Sequence, residues 1–402
     1  MSDTGKAPAL LSGLRALDLS SSVGALCGKF LRDLGMDVIK VEPPGGDAAR
    51  SEPPFANGHA HREGSLRFVY LNAGKRSITL DITKESGRGL LLELVARSDI
   101  VLETFAPGYL AARHLGYEVL LERRPKLILV SLTGFGQDGP YAHFKAPDLV
   151  GNAMGGLLYI SGDPTMTPCN PPETQSHYYA SLFAAYGAML ALWQRETRGI
   201  GAYVDASIQA SMALHEHVAF NYSAEGRVMK RAGSQHQHNA PANLFQCING
   251  WIALFVTQNH WPILLKVWED HPPELDDPKW INSNLRHANA DYINAQVTSF
   301  TSRFRKEDLA ELMQKHGIPG LPVNSPMDFM KDPHIQARGF FSTVTHPVLG
   351  SFQQSGSPFT VDGQRSAPSP APLLGQHNHE VFCGELGLDK RQLELLAADG
   401  II

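Results

Sequence analysis

Short β-rich runs alternate with helical patterns along the first 200 residues. The first two strand-like runs, "GLRALDLS" and "MDVIKVEPP", flank "GALCGKFLRDLG", whose apolar residues have helical spacing. The alternation continues through "SITLDI", "KESGRGLLLELVARS", "DIVLETF", "YEVLLERRP" and "KLILVSLTGFG". Strands that alternate with crossover helices predict an open parallel sheet with helices on both faces. We therefore expect an α/β fold with a large, doubly wound, Rossmann-like domain.

The sequence pattern changes after about residue 225. "NGWIALFV" predicts a half-buried strand, and helices follow between proline-rich turns such as "EDHPPELDDPKW". We expect a smaller α+β domain at residues 226–325, between an N-terminal part of the large domain (1–225) and its C-terminal part (326–402). The C-terminal part contains strand-like "FFSTVTHPVLG" and "SPFTV", and a last helix near "DKRQLELLAADG".

Composition narrows the class of protein. The net charge of −5 offers no basic surface for nucleic acid. The most apolar window, residues 178–193, is too short to span a bilayer. The four cysteines are far apart and form no CxxC pair, which is typical of a reducing compartment. We expect a cytoplasmic protein without a nucleic acid or membrane partner.

Two local patterns suggest a dinucleotide site and a metal site, but neither pattern has the sequence context that such a site requires. "GFGQDG" (Gly134 to Gly139) follows a predicted strand, but Pro140 comes next and no helical pattern opens there, so a glycine-rich turn is favoured over a dinucleotide site. "HEH" at 215–217 and "HQH" at 236–238 lack the HExxH zinc spacing. We expect no metal site.

Two loops have the composition of ligand-binding segments. "EPPGGDAAR" stands at the carboxyl end of a predicted strand, where open α/β sheets bind ligands. "LNAGKRSITLD" places Asn72, Lys75 and Arg76 before a strand, which suits a phosphate-bearing ligand. From local composition, an ordinary charged turn fits this second loop equally well.

An ordered set of sequence blocks resembles the family III CoA-transferases. The blocks include "LRDLGMDVIKVEPPGGDAAR", "YLNAGKRSITLDI", "DIVLETFAPGYL", "RPKLILVSLTGFGQDGPYA", "GIPGLPVNS" and "DPHIQARGFF". This family contains formyl-CoA, carnitine and benzylsuccinate CoA-transferases and the methylacyl-CoA racemases. The resemblance covers nearly the whole chain. It implies a large domain built from both chain ends, a smaller inserted domain, and two subunits that interlock.

The resemblance also implies a CoA site. A CoA thioester would bind as substrate, with no permanently bound cofactor, along the large domain. The family's "ENFRPG" appears here as "ETFAPG", so its Asn becomes Thr104 and its Arg becomes Ala106; a second family Arg falls on Ala112, beside Arg113. The positions expected to contact CoA are Ser22, Val23, Gly24, Asn72, Lys75, Arg76, Thr104, Phe105 and Arg113.

The catalytic position departs from the family pattern. Family transferases use an Asp at the start of a helix, which becomes an aspartyl-CoA thioester. Counted without gaps from Gly162 and from Gly187, that position falls on His177. An imidazole can be acylated or move protons, but it has no carbonyl carbon to hold CoA. Glu173 could supply the carboxylate only if the catalytic position lay four residues earlier than both counts place it.

The sequence therefore favours a subunit of a hetero-oligomeric CoA-transferase. In this respect it resembles the Asp-lacking subunit of benzylsuccinate CoA-transferase, an enzyme of anaerobic toluene degradation. The reaction would move CoA from succinyl-CoA to a carboxylic acid such as (R)-2-benzylsuccinate, and a homologous partner subunit would carry the Asp. Two alternatives stay open: a homomeric isomerase, lyase or transferase that uses His177 as acid or base, and a CoA-thioester-binding protein without turnover.

Overall fold

Six parallel strands form the central sheet of the computed structural model, which describes residues 10–215 and 218–402. The strands are β1 (Arg15–Leu19), β2 (Asp37–Glu42), β3 (Arg76–Thr79), β4 (Ile100–Glu103), β5 (Ile128–Thr133) and β6 (Ala202–Ser207). Their order is β3-β2-β1-β4-β5-β6, so the direction of winding reverses between β1 and β4. The predicted α/β class with a doubly wound parallel sheet is confirmed.

Helices cover both faces of this sheet. The helices before residue 226 in the chain are α1 (Ala25–Asp33), α2 (Leu66–Leu71), α3 (Glu85–Val95), α4 (Tyr117–Arg123), α5 (Asp148–Met154), α6 (Leu157–Ile160), α7 (Gln175–Arg198), α8 (Ile208–His215) and α9 (Val218–Glu225). Successive strand residues alternate between two cores: Leu102 and Val130 pack with α1 and α7, whereas Val101 and Leu129 pack with α3 and α4. Strands buried on both faces give the near-continuous apolar runs in the sequence.

Helix α7 is the longest helix and packs closely because its inner face is small. Ala180, Ala184, Ala188 and Ala191 recur at helical spacing and are buried against the sheet and α1. The absence of large side chains at these positions lets the helix axis approach the sheet. The helix ends at Gly199, which adopts the left-handed conformation typical of a C-terminal cap.

The chain groups into two compact units. The first contains residues up to 157, 171–224 and 336–402, and the second contains 158–170 and 225–335. Residues 158–170 thus group with the second unit, although the sequence-based boundaries placed them in the large domain.

In the second unit, strands β7 (Ala242–Cys247), β8 (Gly250–Phe255) and β9 (Gly320–Pro322) form an antiparallel sheet. Its helices are α10 (Trp261–Val267), α11 (Ser283–Ala288), α12 (Ala290–Thr301), α13 (Lys306–Lys315), α14 (Pro326–Lys331) and α15 (Pro333–Ala337).

The C-terminal segment returns to the first unit. It contains the hairpin β10 (Phe341–His346) and β11 (Gly350–Ser355), a π-helical turn (His379–Glu385) and α16 (Lys390–Ala398). Phe382 lies in the core beside α3. The run "SPFTV" is not a strand, and the expectation of one there was wrong. Pro358 has no amide hydrogen to donate, and the Ser357 carbonyl accepts from the Arg365 side chain instead of a neighbouring strand.

A set of buried ion pairs lies under the loops that follow β1 and β2. The Lys75 ammonium contacts the Asp18 carboxylate at 2.7 Å, with both side chains fully buried. Lys40 pairs with Asp47 at 2.7 Å, and Arg50 donates to both oxygens of Glu42. Burial alone would raise the pKa of Asp18, but Lys75 and Lys40 hold it below its ordinary value. The pairs are mutually satisfied, as buried charges must be.

We expect the variant Lys75→Met to lower the free energy of unfolding by about 3–5 kcal/mol, because it leaves the Asp18 carboxylate buried without its cation. The double variant Lys75→Met, Asp18→Asn removes both charges, so its free energy of unfolding should fall by less than that of Lys75→Met. Denaturant unfolding measures each value. Lys390→Met is the control, since that side chain is 86% exposed, and its effect should stay within about 0.5 kcal/mol. A Lys75 effect no larger than the control's would contradict this account.

Candidate functional site

A cavity of about 280 Å³ opens at the carboxyl ends of β1 to β4. We call it the sheet-edge cavity, and its lining includes Leu19, Ser21, Val41, Glu42, Leu80, Thr104, Phe105 and Tyr109. It lies where the winding of the sheet reverses, which is where doubly wound folds bind ligands. The parallel strands bring together loop residues that are more than 80 positions apart in the sequence.

A second cavity, of about 350 Å³, lies beyond the loop after β4. We call it the His177 cavity. Its lining includes Val23, Thr104, Phe105, Thr133, His143, Lys145 and His177. Thr104 and Phe105 line both cavities, so the turn that they form separates the two spaces.

The turn after β4 is held against the loop after β1. Ser21 donates its backbone amide to the Thr104 hydroxyl at 2.8 Å. Gly24 is needed at this contact, because a Cβ there would lie 2.8 Å from the Thr104 methyl carbon. Of the residues expected to contact CoA, the structure therefore brings Val23, Gly24, Thr104 and Phe105 together. Ser22 is adjacent, but its hydroxyl donates to Glu52 at 2.9 Å.

The start of α7 places His177 in its cavity. Gln175 is the first residue of α7, and Thr174 before it makes no side-chain cap. The cap comes from α5 instead: an oxygen of Asp148 accepts from the backbone amide of Ser176 and from its hydroxyl, each at 2.8 Å. This satisfies a free amide of the first helical turn. His177, the third residue of the helix, is thereby fixed in position.

The His177 imidazole is buried and held in one tautomer. The ring donates to the backbone carbonyl of Ala146, and Nε2 has no hydrogen-bond partner among the described residues. Nδ1 therefore carries the proton, and Nε2 presents a lone pair. Burial lowers the pKa of His177, although the nearby Asp148 carboxylate opposes this. A neutral imidazole of this kind can accept a proton or attack a carbonyl carbon.

Within the described part of the chain, the residues lining the His177 cavity include no Asp or Glu. Glu173 lies outside the lining and forms an ion pair with Arg67 at 2.9 Å. Asp148 is close to His177, but its oxygens accept from Ser176 and Asn152. The carboxylates nearest in sequence are thus committed to other contacts.

The loop Asn72 to Arg76 does not contribute its polar groups to either cavity. The Lys75 ammonium donates to Asp18, Ala25 and Asn72 at 2.7–2.9 Å, so all three of its hydrogens are used. Asn72 is 1% exposed and donates to the Phe68 carbonyl. Arg76 begins β3 at the opposite edge of the sheet, paired with Asp37 and Glu385 at 2.6 Å. We therefore leave these three residues out of the candidate site.

Arg113 lies at the end of a stack of side chains. The Phe105 ring stacks on Tyr109 with 4.4 Å between centroids, and the Arg113 guanidinium lies 3.5 Å from the Tyr109 centroid. The guanidinium also donates to the Tyr109 carbonyl at 3.1 Å. Arg113 is thus linked to the turn between the cavities without lining either one.

Two basic residues of the His177 cavity, His143 and Lys145, were missed from the sequence. They follow β5 in "YAHFKAP", and their position at the carboxyl edge of the sheet was the available signal. The preceding "GFGQDG" is a turn, as expected, and no helix begins until Asp148. Within residues 10–215 and 218–402, no group of three metal-binding side chains comes together. Glu216 and His217 of "HEH" lie outside these ranges.

No helix of the described segments is long and apolar enough to cross a membrane.

Comparisons with known proteins converge on one family. A family model described as CoA-transferase family III matches residues 11–378. The succinyl-CoA–D-citramalate CoA-transferase of Chloroflexus aurantiacus is 32% identical, over 98% of each chain. The BbsE subunit of succinyl-CoA:(R)-benzylsuccinate CoA-transferase of Thauera aromatica is 30% identical, over 93% of this chain and 94% of its own. A CAIB/BAIF family protein from Brucella suis superposes with a TM-score of 0.83 at 30% identity, covering 94% of this chain and all of its own.

The lowered pKa of His177 predicts a neutral imidazole at pH 7. In a nuclear magnetic resonance titration of labelled histidines, we expect its signals to titrate below pH 6.5 and to show the proton on Nδ1. The variant His177→Gln assigns the signals. His271 is an internal control: burial alone would lower its pKa, but the hydrogen bond to Asp276 raises it. A His177 that titrates above His271 would contradict the lowered pKa, and a proton found on Nε2 of the neutral ring would refute the tautomer described here.

Proposed function

The chain belongs to CoA-transferase family III, and from that membership we propose that it is the subunit of a hetero-oligomeric CoA-transferase that lacks the nucleophile. The reaction proposed is transfer of CoA from succinyl-CoA to a carboxylic acid such as (R)-2-benzylsuccinate. The catalytic aspartate would come from a homologous partner subunit. The absence of a carboxylate from the described lining of the His177 cavity carries this proposal.

The chemistry of transfer explains why that observation supports the proposal. A carboxylate that attacks an acyl-CoA forms a mixed anhydride and releases the CoA thiolate, which then attacks the enzyme's own carboxyl carbon to form a thioester and expel the donor acid as a carboxylate. Attack by His177 Nε2 would give an acyl-imidazole and free CoA, and the imidazole has no carbon that can accept the thiolate. His177 cannot carry CoA to a second acid by this route.

The CoA thioester is proposed to bind across the turn after β4. Thr104 and Phe105 line both cavities and Val23 lines the His177 cavity, so a long ligand can lie along them. The described lining of the sheet-edge cavity contains no Lys or Arg. Charge for the phosphates would come instead from Lys145 in the His177 cavity and from Arg113.

Two observations support a partner subunit. The BbsE relative is itself named as a subunit. The outer face of α7 exposes an apolar stripe, in which Leu182, Tyr186, Leu190 and Trp193 are 48–67% exposed. Exposed apolar stripes of this kind are typical of protein interfaces. We place the interlocked partner there, and we place the complex in the cytoplasm because all four cysteines are free.

The experiment compares CoA exchange between succinyl-CoA and dicarboxylic acids for this chain alone and with a homologous chain that carries the aspartate. We expect no transfer by this chain alone and full activity in the pair. In the pair, His177→Ala should leave the rate within about two-fold, because the aspartate does the chemistry. Removing the partner's aspartate should abolish transfer. Transfer by this chain alone would reject the subunit proposal.

A second candidate function is favoured by the free Nε2 of His177. A neutral, buried imidazole with its lone pair in a cavity is arranged as a general base. A homomeric isomerase or lyase acting on an acyl-CoA would use it in this way. The same variant separates the two functions, since His177→Ala would reduce such an activity by 10²-fold or more.

A further inference from the structure

Glu103 is a buried carboxyl group directly behind the turn that separates the two cavities. It is the last residue of β4 and is 4% exposed. Its Oε2 accepts the backbone amide of Phe105 at 2.6 Å. A carboxylate that accepts a backbone amide two residues ahead fixes the direction of the intervening peptide units. The acceptor therefore determines where Thr104 and Phe105 lie.

The contacts of Phe105 transmit this constraint to both cavities. Its side chain lines the sheet-edge cavity and the His177 cavity, and its ring stacks on Tyr109 at 4.4 Å between centroids. Behind the turn, Glu103 lines a third space of about 190 Å³ with Tyr117, Ser131 and Tyr203. A shift of the Phe105 amide would change the shape of all three spaces at once.

We propose that Glu103 is a positioning residue for the CoA thioester, which holds the Thr104–Phe105 turn most firmly when its carboxyl group is ionised. A charged acceptor makes a shorter and stronger hydrogen bond to an amide than a neutral one. Deprotonation of Glu103 therefore favours the turn geometry that forms the wall of the ligand site. This inference rests on the proposed function only in taking CoA as the ligand.

The ionisation of Glu103 falls in the neutral pH range. Burial raises the pKa of its carboxyl group to about 7; hydrogen bonds from the Ser131 side chain and the Phe105 amide oppose the rise, and the Asp205 charge adds to it. The other ionisable groups facing it are Tyr109, Tyr117 and Glu118 beside the third space and Tyr203 on β6. Burial raises the pKa of Tyr117 and of Tyr203 above the ordinary value of 10.0, so both hydroxyls stay protonated in the range where Glu103 titrates.

The sign of the pH effect follows from the direction of the shift. Because the folded state raises the pKa of Glu103 above its ordinary value, its contribution to stability is fully present below about pH 4.5 and is lost as the pH rises through about 7. The hydrogen bond to Phe105 changes in the opposite direction and strengthens over the same interval. Ligand binding and fold stability should therefore respond to pH with opposite signs.

The first test needs no ligand. Selective ¹⁵N-phenylalanine labelling reports the Phe105 amide of the full chain as the pH is changed from 5 to 9. We expect one titration with a midpoint near pH 7 in the wild type and in the control Glu118→Gln, and none in Glu103→Gln. The control removes a charge from the same third space without touching Phe105. A wild-type amide that does not titrate, or one that titrates equally in Glu103→Gln, overturns the inference.

The second test measures binding of CoA itself by calorimetry at pH 6 and pH 8. CoA phosphates also titrate and affect all chains alike. We therefore compare, between chains, the ratio of the dissociation constant at pH 6 to the dissociation constant at pH 8. We expect this ratio to be about five-fold larger in the wild type and in Glu118→Gln than in Glu103→Gln. Equal ratios in all three chains would reject the role of Glu103 and leave CoA binding intact. No binding in any chain at either pH would reject both the role and the proposed CoA site.

Discussion

The buried pair of Lys75 and Asp18 determines which charged groups are left for a ligand. Both side chains are fully buried between β1, α1 and the loop before β3. Neighbouring pairs join Lys40 to Asp47 and Arg50 to Glu42. Each charge is tolerated in a low-dielectric site only because its partner is in contact. The loops after β1 and β2 are thus braced by ion pairs that cannot also bind phosphates.

Because these ion pairs use the cations near β1 to β3, the groups that remain for a ligand lie after β4 and β5. The cations expected from "GKR" are used within the fold, and the carboxylates Glu42 and Asp47 line the sheet-edge cavity. The turn Thr104–Phe105 and the segment carrying Lys145 line the cavity in which we propose that the ligand binds. Glu103 and Ser21 fix this turn from two sides, through the Phe105 amide and the Thr104 hydroxyl. The geometry of the site therefore depends on a few contacts at the end of one central strand.

The sequence predicted the fold well because local periodicity and chain order contain that information. Apolar runs such as "IVLE" and "ILVSLT" predict strands buried on both faces, and the structure has them as β4 and β5. The ion-pair partners of charged residues could not be predicted in this way, because they lie far away along the chain. Lys75 meets Asp18 across 57 positions, and Arg76 meets Glu385 across 309. A loop rich in Lys and Arg looks the same in sequence whether those groups face a ligand or a buried carboxylate.

The start of α7 is compatible with the proposal that His177 stands in place of a carboxylate nucleophile. The positive end of a helix favours a carboxylate in the first turn and disfavours a cation. A histidine fits this place best when it is neutral, and burial lowers the pKa of His177 although Asp148 and the hydrogen bond to the Ala146 carbonyl oppose this. Asp148 caps the helix from α5, so the first turn stays ordered without a charged side chain of its own. The shape of the cavity therefore does not depend on a carboxylate in the first turn of α7, which is compatible with the proposal that a partner subunit supplies the nucleophile.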